Sequence, residues 1–167
     1  MSGRLAFLPQ RAPMLRALEL AQEAAEAGEV PVGAVVVRDG VIIGEGRNRR
    51  EAAGSALAHA EVEAIGRACQ TLGGWRLSGC QLYVTLEPCP MCAGAAVNAR
   101  IQRIIYGLDD PTAGCCGSAA DVTHLPGAHQ VELYRGCMED QCRALMRQFF
   151  QSLRLPKPGA GMGDTLP

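Results

Sequence analysis

Two short segments constrain the fold more than any other part of this sequence: His59-Ala60-Glu61 and Pro88-Cys89-Pro90-Met91-Cys92. Two cysteines three residues apart lie on one face of a helix's first turn, where backbone N–H groups and the positive end of the helix dipole favour thiolates. Pro90 suits the first helical position, because a helix leaves the N–H of that residue unpaired in any case. Both segments are therefore predicted to begin helices.

Together the two segments supply three soft metal ligands, His59, Cys89 and Cys92, and one carboxylate that is not needed as a ligand. Zinc binds Cys and His tetrahedrally; a structural site fills all four positions with protein, whereas a catalytic site leaves one for water. Glu61 could take and return the proton of that water. We therefore predict a catalytic zinc site, while a redox C-x-x-C pair and a purely structural site are the alternatives.

Size and composition predict one globular domain. The chain has 167 residues, enough for one core but short for two. No apolar run approaches the ~20 residues that cross a bilayer, so we expect no membrane association. Eight cysteines without a secretory segment indicate free thiols in a cytoplasmic protein. The net charge of −1 argues mildly against generic nucleic-acid binding, although nearly all basic residues are arginine, which suits phosphates and base stacking.

Hydrophobic periodicity and turn signals predict an alternation of strands and helices. Asp39-Gly40 is a strong signal for a two-residue hairpin turn. The strand before Glu87 leads straight into the cysteine helix, a βα unit that puts the site at the strand's carboxyl end and makes the next strand parallel. The connection 109–129 is predicted to be functional, with a short helical turn near 118–123. The predicted helices span residues 13–28, 58–72, 89–100 and 137–153, and the predicted strands span 32–38, 41–44, 80–86, 104–108 and 131–134.

The spacing H-x-E followed by P-C-x-x-C is the known signature of zinc-dependent nucleobase deaminases. With it, the chain resembles the bacterial tRNA-specific adenosine deaminases of the cytidine deaminase superfamily over about residues 12–154. The metal motif is common to all zinc nucleobase deaminases, whereas the Gly117-Ser118 segment and the pair Phe149-Phe150 resemble the tRNA branch. The further matching segments are 30–35, 44–49, 58–61, 82–95, 100–101 and Gly114.

The resemblance implies an α/β fold of the cytidine deaminase-like type, with three α/β/α layers and a five-stranded mixed sheet flanked by helices. It also implies a homodimer with one zinc ion (Zn²⁺) per subunit, which converts adenosine to inosine at the wobble position of a tRNA anticodon stem-loop. The deaminase domain would span residues 13–155, between a flexible arm over 1–12 and a disordered tail over 156–167.

The resemblance also assigns roles to individual residues. Glu61 would shuttle protons, Asn48 would contact the flipped nucleotide, and Asp110 would lie near its ribose. A C-terminal helix would border the anticodon loop. The residues that match the family's metal ligands are His59, Cys89 and Cys92, and those that match its C-terminal RNA-binding helix are Phe149, Phe150 and Arg154.

Two other functions stay open at this point. A deaminase of a free base or nucleoside, such as guanine or cytosine, would use the same metal motif. A zinc-stabilised, non-catalytic RNA-binding or scaffold protein is the alternative outside enzymology, although a structural site has no use for the acid Glu61. The sequence does not identify the tRNA that would be edited.

Overall fold

A computed structural model describes residues 6–155 of the chain. The predicted tail, 156–167, lies outside the described residues, as does the first part of the predicted arm. Among residues 6–155, no helix combines the length and apolar character needed to cross a bilayer. The helices are α1 (Arg11–Glu26), α2 (Arg50–Ala53), α3 (Ala60–Leu72), α4 (Pro90–Asn98) and α5 (Glu139–Arg154), and the strands are β1 (Gly33–Arg38), β2 (Val41–Arg47), β3 (Gln81–Leu86), β4 (Arg103–Leu108) and β5 (Glu132–Tyr134).

The five strands form one mixed sheet in the order β2-β1-β3-β4-β5. β1 is antiparallel to both β2 and β3, and β3, β4 and β5 run parallel to one another. The prediction that β4 follows β3 in parallel is confirmed. Because of these directions, the start of β1 and the ends of β2, β3 and β4 lie along the same edge of the sheet.

The hairpin between β1 and β2 forms at the predicted turn. Asp39 and Gly40 have φ values of 50° and 78°, the left-handed pair that a two-residue hairpin turn requires. A register shift between Val36 and Val37 interrupts the ladder, and β2 continues to Arg47 rather than ending at Gly44. The longer strand carries the chain to the edge of the sheet where β1 begins.

Helices cover both faces of the sheet, which confirms the three-layer α/β/α architecture. Side chains that alternate along β1 separate the two cores, with Val36 packed in the α3 and α4 layer and Val35 in the α1 and α5 layer. α3 lies so close to β2 that a Cβ on Gly46 would overlap the carbonyl oxygen of Ala60. This close approach fixes the first turn of α3 against the end of β2.

Three local features differ from the sequence expectations. Residues 50–53 form the short helix α2 inside a segment expected to be a loop. The helical turn expected near 118–123 is wrong, since Cys116 and Asp121 pair there as an isolated β-bridge. Within the predicted arm, α1 already begins at Arg11, and the Phe7 ring packs edge-on against Tyr134 with centroids 4.8 Å apart.

Candidate active site

The predicted ligand residues meet where two helices begin. His59 and Cys89 are the residues immediately before α3 and α4, and Cys92 lies in the first turn of α4. His59 Nδ1 faces both sulfurs, at 3.7 Å from Cys89 Sγ and 3.5 Å from Cys92 Sγ. Segments 30 residues apart in the chain thus present three donor atoms to one point.

The two sulfur–nitrogen distances match the edges of a zinc tetrahedron. Zn–S bonds of about 2.3 Å and Zn–N bonds of about 2.0 Å at tetrahedral angles separate sulfur from nitrogen by about 3.6 Å. Among the described residues, one group of side chains could hold a metal ion. It consists of these three residues, and their ligand atoms all lie within 4.8 Å of one another. The donor set and its dimensions therefore fit a zinc ion with one open position.

The surroundings of the two cysteines shift the pKa values of their thiols in opposite directions. A hydrogen bond between them lowers the pKa of Cys89 to about 5 and raises the pKa of Cys92, which is also desolvated. Backbone N–H groups of the first α4 turn add to the stabilisation of the Cys89 thiolate. The lowered pKa of Cys89 favours the thiolate form that a metal ligand requires.

Glu61 lies in the first turn of α3, two residues after His59, and its side chain helps to line the same pocket. The residue is only 4% exposed, and burial raises the pKa of its carboxyl to about 7. A carboxyl that titrates near neutrality can both accept and donate a proton, which is the property required of a general acid and base. Glu61 has the position and the chemistry of a proton shuttle.

Asn48 follows the last residue of β2 and is buried at the pocket wall. Its Nδ2 donates to the Val30 carbonyl at 3.3 Å, and its Oδ1 accepts from the Arg50 backbone N–H at 3.3 Å. The amide has two N–H donors and two acceptor lone pairs, so among the described residues one N–H and one lone pair have no side-chain hydrogen bond. The side chain is therefore held in one orientation with a donor and an acceptor to offer.

α2 is held in place by a buried acid that the sequence analysis missed. The Glu29 carboxylate accepts from the backbone N–H groups of Ala52 at 2.8 Å and Glu51 at 3.3 Å, at the start of the helix. Arg50 thereby reaches the pocket, where it is the single cationic side chain in the lining. No ion pair to another residue in the range 6–155 engages Arg50, whereas its neighbour Arg49 binds Glu63.

Asp110 follows β4 and also lines the pocket. Its Oδ1 accepts from the backbone N–H groups of Thr112 and Ala113 at 3.0 and 3.1 Å. Oδ2 has no recorded partner among the described residues, and this oxygen is the one available to a ligand.

The pocket itself has a volume of about 190 Å³ and combines apolar walls with polar groups. The structure brings Asn48 and Asp110 to the same cavity as His59, Cys89 and Glu61, as a βα site at strand ends predicts. A flat apolar ring would contact Val30, Val32 and Leu86, while the polar groups converge from the other walls.

The predicted residues of α5 do not line this pocket. Phe149 is 7% exposed and lies at a cleft between α5 and α1, while Phe150 is 44% exposed and packs edge-on to it with ring centroids 5.4 Å apart. Arg154 is the last residue of α5. Because α1 ends at Glu26, shortly before Val30, this part of α5 lies at the same end of the molecule as the pocket.

Comparisons with known proteins agree with this geometry. Residues 10–154 match the family of MafB19-like deaminases. A tRNA-specific adenosine deaminase of Bacillus subtilis strain 168 is 45% identical, with 88% of this chain and 92% of that protein covered. A structure from a study of A-to-I editing by tRNA:A34 deaminases is 40% identical with a TM-score of 0.76, over 81% of this chain and 99% of that one.

A second solved structure to which the chain is similar is a guanine deaminase from Bacillus subtilis. It is 44% identical with a TM-score of 0.58, over 61% of this chain and 66% of that one. The match to the tRNA enzymes covers more of both chains and has the higher TM-score. On these grounds the chain is a MafB19-like deaminase and belongs to the family of tRNA-specific adenosine deaminases.

Proposed function

We propose that this protein hydrolyses adenosine to inosine at the wobble position of a tRNA anticodon, in a reaction that requires zinc. The observation that carries the proposal is the placement of Glu61, a buried acid with a pKa of about 7, in one pocket with His59 and Cys89. Membership of the tRNA-specific adenosine deaminases supports the choice of substrate.

Zinc held by His59, Cys89 and Cys92 would supply a Lewis acid that makes a water molecule acidic near neutral pH. Glu61 then has the task of moving protons. Its carboxylate takes one from the attacking water and delivers it to a ring nitrogen, while the water oxygen bonds to carbon 6 of adenine. A second proton transfer lets the amino group leave as ammonia, and Glu61 returns to its starting state.

Recognition falls to the residues around the pocket mouth. The free donor and acceptor of Asn48 suit the flipped nucleotide, and the free oxygen of Asp110 suits a ribose hydroxyl. Phe150 and Arg154 offer a stacking surface and a cation for the rest of the anticodon loop, and the buried Phe149 packs against the Phe150 ring. A loop nucleotide is also easier to extrude than a paired one.

We further infer that the protein acts in the cytoplasm, where tRNA is modified, and that it is a homodimer. All eight cysteines are free, which suits a reducing compartment.

The dimer is supported by an open groove between α3 and α4. This groove exposes Trp75 beside small side chains such as Ala95, and a second copy would cover it. Light scattering at micromolar concentration should give twice the monomer mass.

The decisive experiment offers the protein an anticodon stem-loop with adenosine at the wobble position. Inosine and ammonia should form in equal amounts, and stem-loops with another base at that position should be inert. Zinc should be present at one ion per chain, and its removal by a chelator should abolish turnover until zinc is restored. Inert protein with full zinc content would refute the proposal.

The second candidate is a deaminase of free guanine, which the similarity to the Bacillus subtilis guanine deaminase favours. The same assay separates the two functions when free guanine, cytosine and adenosine are offered in parallel. Turnover of a free base with none on the stem-loop would replace the first proposal by the second. The exposed aromatic and cationic residues of α5 favour the longer substrate.

A further inference from the structure

The reaction described above makes no use of Glu87, although this residue is among those that line the pocket. Glu87 directly follows β3, is 2% exposed and has no cationic partner within residues 6–155. Its carboxylate accepts three backbone hydrogen bonds instead, from Asp110 at 2.9 Å, Cys116 at 3.0 Å and Ser118 at 3.1 Å. A buried charge is tolerated only with such compensation, so the bonds indicate a defined task.

The segment 110–118 wraps around this carboxylate. Gly114 passes so close that a Cβ there would overlap the Glu87 carboxylate, and its N–H donates to the Asp110 carbonyl at 2.8 Å. The next residue, Cys115, donates its N–H to the Pro88 carbonyl at 2.8 Å. The loop is thus tied to the link between β3 and α4 at several points, and Glu87 is the shared acceptor.

Asp110 takes its position from this arrangement. Its N–H binds Glu87 Oε2, and its Oδ1 closes a tight turn with the N–H groups of Thr112 and Ala113. The remaining oxygen, Oδ2, belongs to a residue that lines the pocket. Both Glu87 oxygens accept backbone bonds, so Glu87 has less capacity for the substrate than Asp110 and acts through it.

We propose that Glu87 is a positioning residue for substrate binding, whose carboxylate holds the 110–118 loop so that Asp110 presents a free oxygen to the sugar of the target nucleotide. This inference rests on the proposed function, since it assumes a nucleotide in the pocket. Because Glu87 would act on binding and not on the chemical step, its loss should weaken the substrate complex and leave the metal ligands and Glu61 in place.

The test is a double-mutant cycle between Glu87→Gln and Asp110→Ala, with the stem-loop as substrate. Glutamine keeps the volume of the side chain but turns an N–H toward a backbone N–H donor. Glu87→Gln should raise KM about tenfold, the typical effect of losing a hydrogen bond to a charged group, with kcat within about twofold and zinc content unchanged. In the Asp110→Ala background the same change should raise KM by less than about twofold.

Asp121→Asn is the matched control. This carboxylate belongs to the same connection between β4 and β5, and it bonds Thr123 and His124. The substitution changes only the side chain and so leaves the backbone bridge between Asp121 and Cys116 in place. Its substitution should leave KM within about twofold of the wild-type value, which shows that loosening the connection elsewhere does not weaken binding.

Two results would overturn the inference while wild-type turnover of the stem-loop preserves the proposed function. Multiplicative effects of Glu87→Gln and Asp110→Ala on KM would mean that Glu87 does not act through Asp110. A fall in kcat at unchanged KM would mean that it serves the chemistry. If Glu87→Gln does not fold, Glu87→Asp keeps the charge but shortens the reach of the carboxylate toward the three N–H groups, and it should give the same non-additive cycle. Absence of wild-type turnover would instead refute the function.

Discussion

The metal end of the pocket and its substrate rim are held by different kinds of contact. The metal end consists of His59, Cys89, Cys92 and Glu61, all within the first turn of a helix or next to it. The proposed substrate rim consists of Asn48, Arg50 and Asp110 at the pocket, together with the exposed end of α5 at the same end of the molecule. The start of one helix sets the spacing of His59 and Glu61, and the start of another sets that of Cys89 and Cys92. Asn48, the α2 helix and Asp110 instead depend on partners far away in the sequence.

The difference is visible in the hydrogen bonds of the rim. Asn48 is oriented by Val30, 18 residues earlier, and Asp110 is anchored by Glu87, 23 residues earlier. The rim residues are therefore oriented individually by long-range hydrogen bonds. At the metal end, the packed fold is needed only to bring the two helix starts together. Substitutions at the metal end should remove chemistry, and substitutions at the rim should weaken binding.

The largest effect is expected at Glu61. Glu61→Gln keeps the shape of the side chain but cannot carry a proton, so kcat should fall about 10³-fold or more, within the usual range for general acid and base catalysis. Zinc content should stay at the wild-type value, because Glu61 is not a ligand. The free energy of unfolding should not fall, since the variant buries a neutral amide in place of an acid.

Stopped assays over hours, with zinc measured on the same samples, check this prediction. Loss of zinc together with activity would show that the metal end and the proton shuttle are not separable. Retention of more than a tenth of the wild-type kcat would remove Glu61 from the mechanism.

The next largest effects are expected at two adjacent aromatic residues of α5, one of which should affect mainly stability and the other mainly substrate binding. Phe149→Ala empties a buried position and should lower the free energy of unfolding by about 3 kcal/mol. Phe150→Ala removes a half-exposed ring and should lower it by about 1 kcal/mol, through the lost edge-on contact. The KM for the stem-loop should rise about fivefold or more in Phe150→Ala, the lower part of the range for one lost base-stacking contact.

Urea unfolding and steady-state kinetics on both variants provide the measurements. If Phe150→Ala binds the stem-loop as tightly as the wild type, α5 does not belong to the substrate rim. If Phe149→Ala is as stable as the wild type, its burial does not support the helix.

The metal end could be predicted from the sequence because each of its signals is local. Pro90 at a helix start, two cysteines three residues apart and an acid two residues after a histidine need no knowledge of the rest of the chain. The hairpin at Asp39-Gly40 is local in the same sense, and it forms as predicted. The parallel β3–β4 pair follows from the handedness of βα units, and it is also confirmed.

The missed features depend on long-range contacts. α2 has only four residues, and the acid at its N-terminus, Glu29, lies more than 20 residues earlier. The expected helical turn near 118–123 is replaced by antiparallel backbone pairing, in which the Gly117 N–H donates to the Ala120 carbonyl and the Val122 N–H donates to the Cys115 carbonyl. The hydrophobic periodicity of these two segments gives no indication of their hydrogen-bond partners. A buried acid next to a strand end, such as Glu87, is a sequence signal that could have indicated one of them.

The smallest predicted effect concerns the cation of the substrate rim, Arg50. Its side chain reaches the pocket without an ion pair inside the described part of the chain, so its charge is available to a phosphate. Arg50→Gln should raise KM for the stem-loop about threefold at moderate salt and reduce the slope of log affinity against log salt by about 0.7, as expected for one lost contact to single-stranded RNA. Arg38→Gln is the matched control, because Arg38 ends β1 at the opposite edge of the sheet. An unchanged salt slope in Arg50→Gln would exclude a phosphate contact and leave the neutral groups of the rim, Asn48 among them, to hold the nucleotide.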